Sequence, residues 1–318
     1  MTINTYLIKT ISITLLLSTL LTNCTRRVID ANNNNPSPSD SSATVLVSRQ
    51  GQTDRFEIAT WNIENFPKAD TQTITDVAQI IKDLDLDLYG VEEIASVRSF
   101  DDMLKKLPGW QGVLSSDTYG NGSYQKTGIL YKSNFISVSH VQNIFQDDGY
   151  AFPRPPLEAY VTVKDLEGIK FDFNLIVLHL KAKGGSSNEA RRKSACQKLY
   201  QFISDEIAAG ADSDFVVVGD WNDQLNDSPE NNVFEPFLNA PDQFTFLTLG
   251  LTNQYSYIST TYKSLIDQIL ITKNVHQEYG NGTCKVLYLD QEYKSYVSYV
   301  SDHRPVMARF KGFKLKLQ

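Results

Sequence analysis

The chain has 318 residues, 41% of them hydrophobic and 21% charged, and a formal net charge of −7. That usage is ordinary for a globular protein and excludes a chain disordered throughout. The acidic balance argues against holding nucleic acid through the overall field, although carboxylates that carry a divalent cation become a local phosphate-attracting site.

Lys9 is followed by an apolar run from Ile11 to Leu21, too short to cross a bilayer as a helix but suited to the apolar stretch of a signal peptide. The run ends at Leu21-Thr22-Asn23-Cys24, which resembles a bacterial lipoprotein processing box with Cys24 as the lipidated first residue of the mature chain. Asn23 departs from the small residue usual there. Residues 1–23 are therefore expected to be a signal peptide and Cys24 a membrane anchor. The protein would be exported and held at a periplasmic or cell-surface face, or secreted if Cys24 is not lipidated. Residues 24–55 contain Asn32-Asn33-Asn34-Asn35-Pro36-Ser37-Pro38-Ser39 and a Ser/Thr stretch, a composition that cannot offset the entropy of folding and predicts a disordered tether. Residues 56–318 have the size of a single domain with a continuous core. Whether Cys196 and Cys284 pair is open at this stage, because spacing alone does not bring two α-carbons together.

From Phe56 onward, short β-rich runs alternate with a few helical ones, with no fixed-period repeat. Strands are predicted at Phe56–Asn62, Lys126–Tyr131, Leu157–Val163, Phe171–Leu180, Phe215–Gly219, Ile266–Ile271 and Pro305–Phe310. Helical spacing appears at Ile74, Val77, Ala78 and Ile81, and across Asn188–Ala208. Val216-Val217-Val218 is apolar on consecutive positions, as a strand covered on both faces requires. These patterns predict an α/β fold: a four-layer sandwich of two packed, mainly antiparallel β-sheets flanked by helices.

Charge-competent residues cluster where these strands end. Asp220 and Asn222 follow an apolar strand two positions apart, so alternation aims both at one side, where a carboxylate and an amide can orient an attacking water. Glu93 ends another apolar run and offers the hard oxygen that suits Mg²⁺. Asn62 and Glu64 repeat the two-residue spacing. Of four histidines, His179 and His303 lie at strand ends. Asp267 heads the strand from which a carboxylate could orient the imidazole of His303.

Together, Trp61-Asn62-Ile63, Glu93, His179, Gly219-Asp220-Trp221-Asn222, Asp267 before Ile269-Leu270, and Ser301-Asp302-His303-Arg304-Pro305-Val306 resemble the endonuclease/exonuclease/phosphatase superfamily, or deoxyribonuclease I-like fold, from Phe56 to Phe310. The resemblance implies a Mg²⁺-dependent phosphodiesterase, with Mn²⁺ or Ca²⁺ as substitutes. It implies that Glu93, Asn62 and Asp302 form the metal site, with Glu93 the principal ligand. Asp220 and Asn222 would position or activate the water, and His303, oriented by Asp267, would act on the scissile phosphate with His179. Tyr124 and Arg154 stand in segments similar to those that carry a phosphate-contacting Tyr and Arg in the family. Two departures are visible. Lys126 occupies the place of an acidic residue that supports the first histidine in deoxyribonuclease I, and Glu92 replaces a frequent Gln, where it could be an exposed charge.

Lys181, Lys183, Arg191, Arg192, Lys193 and Lys198 form a basic stretch after His179 that could track a phosphate backbone, with Lys181 and Lys183 nearest the site. Nucleic acid is the expected partner and cleavage as an endonuclease the expected activity, with the membrane contacted through the anchor and no obligate protein partner evident. The alternative within the class is a lipid-headgroup phosphodiesterase like the bacterial sphingomyelinase branch, for which Tyr-rich segments could supply interfacial aromatics. Outside the class stands a non-catalytic surface-binding protein that has kept the fold.

Overall fold

A computed structural model describes residues 44–312. The elements run β1 (Arg55–Phe66), α1 (Asp70–Leu84), β2 (Leu88–Ile94), α2 (Val97–Leu104), β3 (Trp110–Leu114), β4 (Lys126–Lys132) and β5 (Ile136–Asn143). They continue through β6 (Leu157–Asp165), β7 (Gly168–His179), α3 (Ser186–Ala208), β8 (Phe215–Asp220), α4 (Glu235–Leu238), β9 (Phe244–Phe246), β10 (Tyr257–Ile258) and β11 (Lys263–Ser264). The chain ends with β12 (Asp267–Thr272), α5 (His276–Tyr279), β13 (Thr283–Val286), α6 (Leu289–Glu292), α7 (Tyr296–Tyr299) and β14 (Val306–Gly312).

Two six-stranded sheets form, in the orders β13-β14-β1-β2-β4-β3 and β5-β6-β7-β8-β12-β9. Pairing is antiparallel except for β1 with β2 and β7 with β8. Strand alternation explains the layering. On β1, Phe56 and Ile58 face the second sheet while Ala59, Trp61 and Ile63 face α1. On β8, Val216 and Val218 point between the sheets and Phe215 and Val217 pack under α3. The consecutive valines are thus covered on both faces, as their sequence predicts. The four-layer sandwich is present, and the sheets approach closely enough at Gly90 that an added Cβ would meet the Val218 side chain at 2.5 Å.

The predicted strands and both long helices are found, most of them extended by a few residues. Six further strands, β3, β5, β9, β10, β11 and β13, lack a prediction. β3, β5, β9 and β13 are the four edges of the two large sheets and β10 and β11 pair as a hairpin of two-residue strands, so none carries the unbroken apolar run of a central strand. One correction concerns the start of the domain. Residues 44–54, placed in the tether by composition, pack against α1. Val47 is 2% exposed, the Leu46 N–H donates to Asp83 Oδ2 at 2.7 Å, and Gly51 N–H donates to the Leu84 carbonyl at 2.8 Å. The apolar triplet Val45-Leu46-Val47 supplies the burial that the Ser/Thr average conceals. The expected signal peptide, Cys24 and the Asn/Pro/Ser run lie outside the described residues. No helix among the described residues is long and apolar enough to cross a membrane. Cys196 and Cys284 are free thiols.

Candidate active site

Three neighbouring strands of the second sheet bring a row of functional groups to one edge. His179 ends β7 opposite Asp220 of β8, and Asp220 in turn faces Asp267 of β12. Cross-strand partners put their side chains on the same face within contact range, so the row follows from register alone. Gly219 permits it: its φ is +154°, and an added Cβ would lie 2.0 Å from the Leu178 carbonyl oxygen. From the first sheet, Thr60 and Asn62 continue the inward face of β1, and Asn62 stands beside Glu92 on β2. His303 and Asp302 come from the turn that enters β14, held by an isolated bridge between Tyr257 and His303.

These groups meet at one cleft of about 460 Å³, lined by Glu64, Glu93, His179, Asp220, Asn222, Asp302 and His303 among others. Asn62 lies at its base. Its Nδ2 donates to Asp220 Oδ2 at 3.1 Å and to Glu93 Oε1 at 3.3 Å, while its Oδ1 accepts the Glu64 N–H at 3.0 Å. The carboxylates need the donor and the Glu64 N–H needs the acceptor, so the amide orientation is set. Asn62 therefore bridges two carboxylates rather than turning an oxygen to a cation, a correction to its expected place among the metal ligands.

Asp220 is the convergence point. His179 Nε2 lies 3.4 Å from its Oδ2, His303 Nε2 lies 3.9 Å away, and the Asn222 N–H donates to its Oδ1 at 2.9 Å. Burial and the facing Asp267 carboxylate push the Asp220 carboxyl up to about 7, against the lowering effect of His303 and of the Asn62 and Asn222 hydrogen bonds. His303 Nδ1 hydrogen-bonds Asp267 Oδ2 at 2.9 Å. Burial alone would lower the His303 pKa, but Asp267, Asp220 and Asp302 outweigh it and hold the imidazolium to about 10. His179 goes the other way, pushed well down by burial and by Arg154, His303 and Lys181. Its Nδ1 is buried with no hydrogen-bond partner, and Lys126 is turned aside to donate to the Asp117 carbonyl.

At the cleft's other side, Glu93 accepts the Asn65 N–H at 3.0 Å and the Gln125 side chain at 3.2 Å. Glu93 and Glu64 both adopt positive φ, the kind of backbone strain that collects at functional sites. The carboxyl of Asp302 is pushed up to about 6, first by burial and, against His303, by Glu64 and Glu93. Glu64, Glu93 and Asp302 line the cleft with hard carboxylate oxygens, the donor type a divalent cation takes. Asp220, Asp267 and His303 also lie close enough to share an ion. There, however, His303 Nδ1 is committed to Asp267, and Asp267 is fully buried, which suits an imidazole orienter.

Several expected contacts are placed elsewhere. The Tyr124 hydroxyl accepts the Val97 N–H at 3.2 Å, away from the cleft, while the neighbouring Gln125 in the same loop reaches Glu93. The tyrosine that meets Arg154 is Tyr119, whose hydroxyl also reaches Gln125. Arg154 is buried behind His179, donating to the carbonyls of His179 and Leu180 at 3.1 and 2.6 Å, so it braces the strand end rather than lining the cleft. Lys183 lines the cleft, whereas Lys181 bonds the Ala182 carbonyl and does not. Asn222 lines it with φ +55°, its Nδ2 3.3 Å from the Leu180 carbonyl. Glu92 is no exposed charge. It is 0% exposed, accepts the Thr60 hydroxyl at 2.9 Å, and burial followed by Asp267 and Asp220 pushes its carboxyl well up. Tyr257 and Tyr262 of the β10–β11 hairpin also line the cleft. No sequence pattern singled out Tyr262, which is 68% exposed.

The sequence profile described as "Endonuclease/Exonuclease/phosphatase family" matches residues 59–303. No curated protein matches. Among solved structures, an endonuclease/exonuclease/phosphatase family protein from Bacteroides thetaiotaomicron aligns with a TM-score of 0.60 at 18% identity, over 83% of this chain and 100% of its own. A 3′ phosphatase from Neisseria bound to a product DNA hairpin aligns at 0.58 and 17%, over 80% and 99%. A mannosyl-6-phosphatase from Bacteroides thetaiotaomicron aligns at 0.57 and 16%, over 80% and 99%. At these identities the structural likeness speaks to the fold.

Proposed function

Because the chain belongs to the endonuclease/exonuclease/phosphatase family, whose enzymes are divalent-metal-dependent phosphoesterases, we propose that it hydrolyses phosphodiesters in nucleic acid by attack of an activated water. The observation that carries this reading is the meeting of Asp220, His179, His303, Asp302 and Glu93 in one cleft from separate strand ends.

The Asp220 carboxylate takes the proton of the attacking water, with the Asn222 amide at the same lip to orient it. As the P–O bond to the leaving group breaks, His303, charged and held by Asp267, donates its Nε2 proton to the departing oxygen. His179, neutral in its buried position, hydrogen-bonds the phosphate from the facing side. Glu93 and Asp302 are the residues that would hold Mg²⁺, with Mn²⁺ or Ca²⁺ as substitutes. When bound, the ion neutralises charge on the phosphate oxygens. Lys183 on the lip supports a polyanionic substrate. The leader-like residues 1–23 and Cys24 support action outside the cytoplasm from a lipid anchor, and Cys24→Ala is expected to move the protein from the membrane fraction to the soluble one.

A second reading, hydrolysis of a lipid headgroup phosphodiester, draws on the exposed Tyr262 at the lip. Plasmid, RNA, sphingomyelin vesicles and a phosphomonoester are incubated with wild type and Asp220→Ala, with and without chelator. Chelator-sensitive nucleic-acid cleavage lost in the variant supports the first reading. Lipid turnover alone supports the second, monoester turnover alone overturns both, and no turnover at all supports a binding protein.

A further inference from the structure

Arg192 counts toward the basic stretch in sequence, yet its side chain is an interior group. It lies in the second turn of α3 at 3% exposure, with Nε and Nη1 both committed. Nε donates to Asp223 Oδ2 at 2.7 Å, and Nη1 donates to the carbonyls of Lys181 at 2.8 Å and Lys183 at 2.9 Å. Asp223 belongs to the loop that carries Asp220 and Asn222, and its own carbonyl accepts from the buried Gln268 on β12. One guanidinium thus ties the loop after β7 to the loop after β8.

The tied segment has an unusual conformation. Lys183 adopts φ +77°, a left-handed geometry that a side chain other than Gly, Asn or Asp rarely takes without support. Carbonyls two residues apart, drawn onto one nitrogen, supply that support. The turn brings Lys183 and Gly184 into the lining of the catalytic cleft. Lys183 is exposed and, among the described residues, forms no ion pair, whereas Lys193 and Lys198 pair with Glu235 and Asp148.

We propose that Arg192 is a positioning residue. Its clamp on the 181 and 183 carbonyls aims the unpaired Lys183 ammonium into the cleft as a phosphate-binding group, and Asp223 fixes the clamp. The inference rests on the cleft's binding a phosphate. The guanidinium serves the three acceptors from two nitrogens of one rigid plane, whereas an ammonium donates from a single flexible point, so Lys at this position keeps the charge opposite Asp223 but loses the clamp.

The test uses the full chain. Inorganic phosphate affinity is measured by calorimetry, and KM and kcat with a chromogenic phosphodiester, for wild type, Arg192→Lys, Lys183→Ala and the double variant. Arg192→Lys and Lys183→Ala should each weaken phosphate about fivefold and raise KM by a similar factor, with a much smaller change in kcat for Arg192→Lys. The double variant should be no worse than either alone, because the clamp acts only through Lys183. Effects that multiply, or Arg192→Lys binding phosphate as wild type does, overturn the proposal. If Arg192→Lys does not fold, Asp223→Asn replaces it, and wild-type phosphate affinity in that variant also overturns the proposal. Wild type that hydrolyses no phosphate ester but binds phosphate through Lys183 and Arg192 sinks the hydrolase reading and supports the clamp.

Discussion

The cleft and helix α3 are both dense in charge, and their charges meet opposite fates. Along α3 each cation finds a partner. Arg191 donates to the Gly149 and Tyr150 carbonyls, Arg192 is buried against Asp223, and Lys193 and Lys198 face Glu235 and Asp148. In the cleft the groups face one another instead. Burial and neighbouring carboxylates push Asp220 and Asp302 up to about 7 and about 6, and Asp267, Asp220 and Asp302 outweigh burial to hold His303 up to about 10. Charge density therefore does not locate the working site. Unbalanced charge converging on shared space does.

The sharpest way to break this contrast is to remove its centre. Asp220→Ala is expected to lower hydrolysis by at least about a thousandfold in a single-turnover assay, as is chelation of the metal, because water activation and charge neutralisation each contribute on that scale. Residual activity within tenfold of wild type would remove Asp220 from the chemistry.

The next effect is on pH dependence. With Asp220 acting ionised and His303 acting protonated, kcat/KM should rise through about pH 7 and fall only through about pH 10. Asp267→Asn removes the carboxylate that does most to hold His303 up. It should therefore draw the alkaline limb toward neutrality and cost roughly ten- to a hundredfold at the optimum. An alkaline limb that stays in place would assign it to another group.

Stability should follow the same groups. His303 is raised above its ordinary 6.5, so the stability it contributes is complete below that value and is lost as pH rises through about 10. Asp220 is raised from 3.8 to about 7, so across that window the folded state holds more protons than the unfolded one and stability again falls with rising pH. Urea midpoints taken between pH about 5 and about 8 should decline for wild type and flatten for Asp220→Asn. The smallest effects belong to α3. Lys193→Ala and Lys198→Ala should leave turnover within about twofold and stability within about 1 kcal/mol, since exposed ion pairs contribute little. A clear loss of nucleic-acid affinity in either would restore the basic track to the substrate path.

The parts of the site legible in the sequence were those that strand periodicity governs. Asp220 and Asn222 at the end of β8, His179 at the end of β7 and Asp267 at the head of β12 could be ordered by apolar runs and alternation. Tyr124 and Arg154 were misplaced for one reason: both sit in loops, where neither period applies, and only packing shows that Gln125 reaches Glu93 and Tyr119 reaches Gln125. The same holds for Val47, whose burial depends on a groove beside α1 that composition does not contain.

By itself the sequence determined the layered α/β fold and the set of acids, amides and imidazoles at strand ends, because residue periodicity decides which face a strand residue occupies. Only the tertiary structure decided which charges remain unpaired. It turned the Asn62 amide toward two carboxylates, buried Glu92 beneath them and withdrew Arg192 from the surface. Pairing depends on distances between segments far apart in the chain, and local pattern carries no information about those distances.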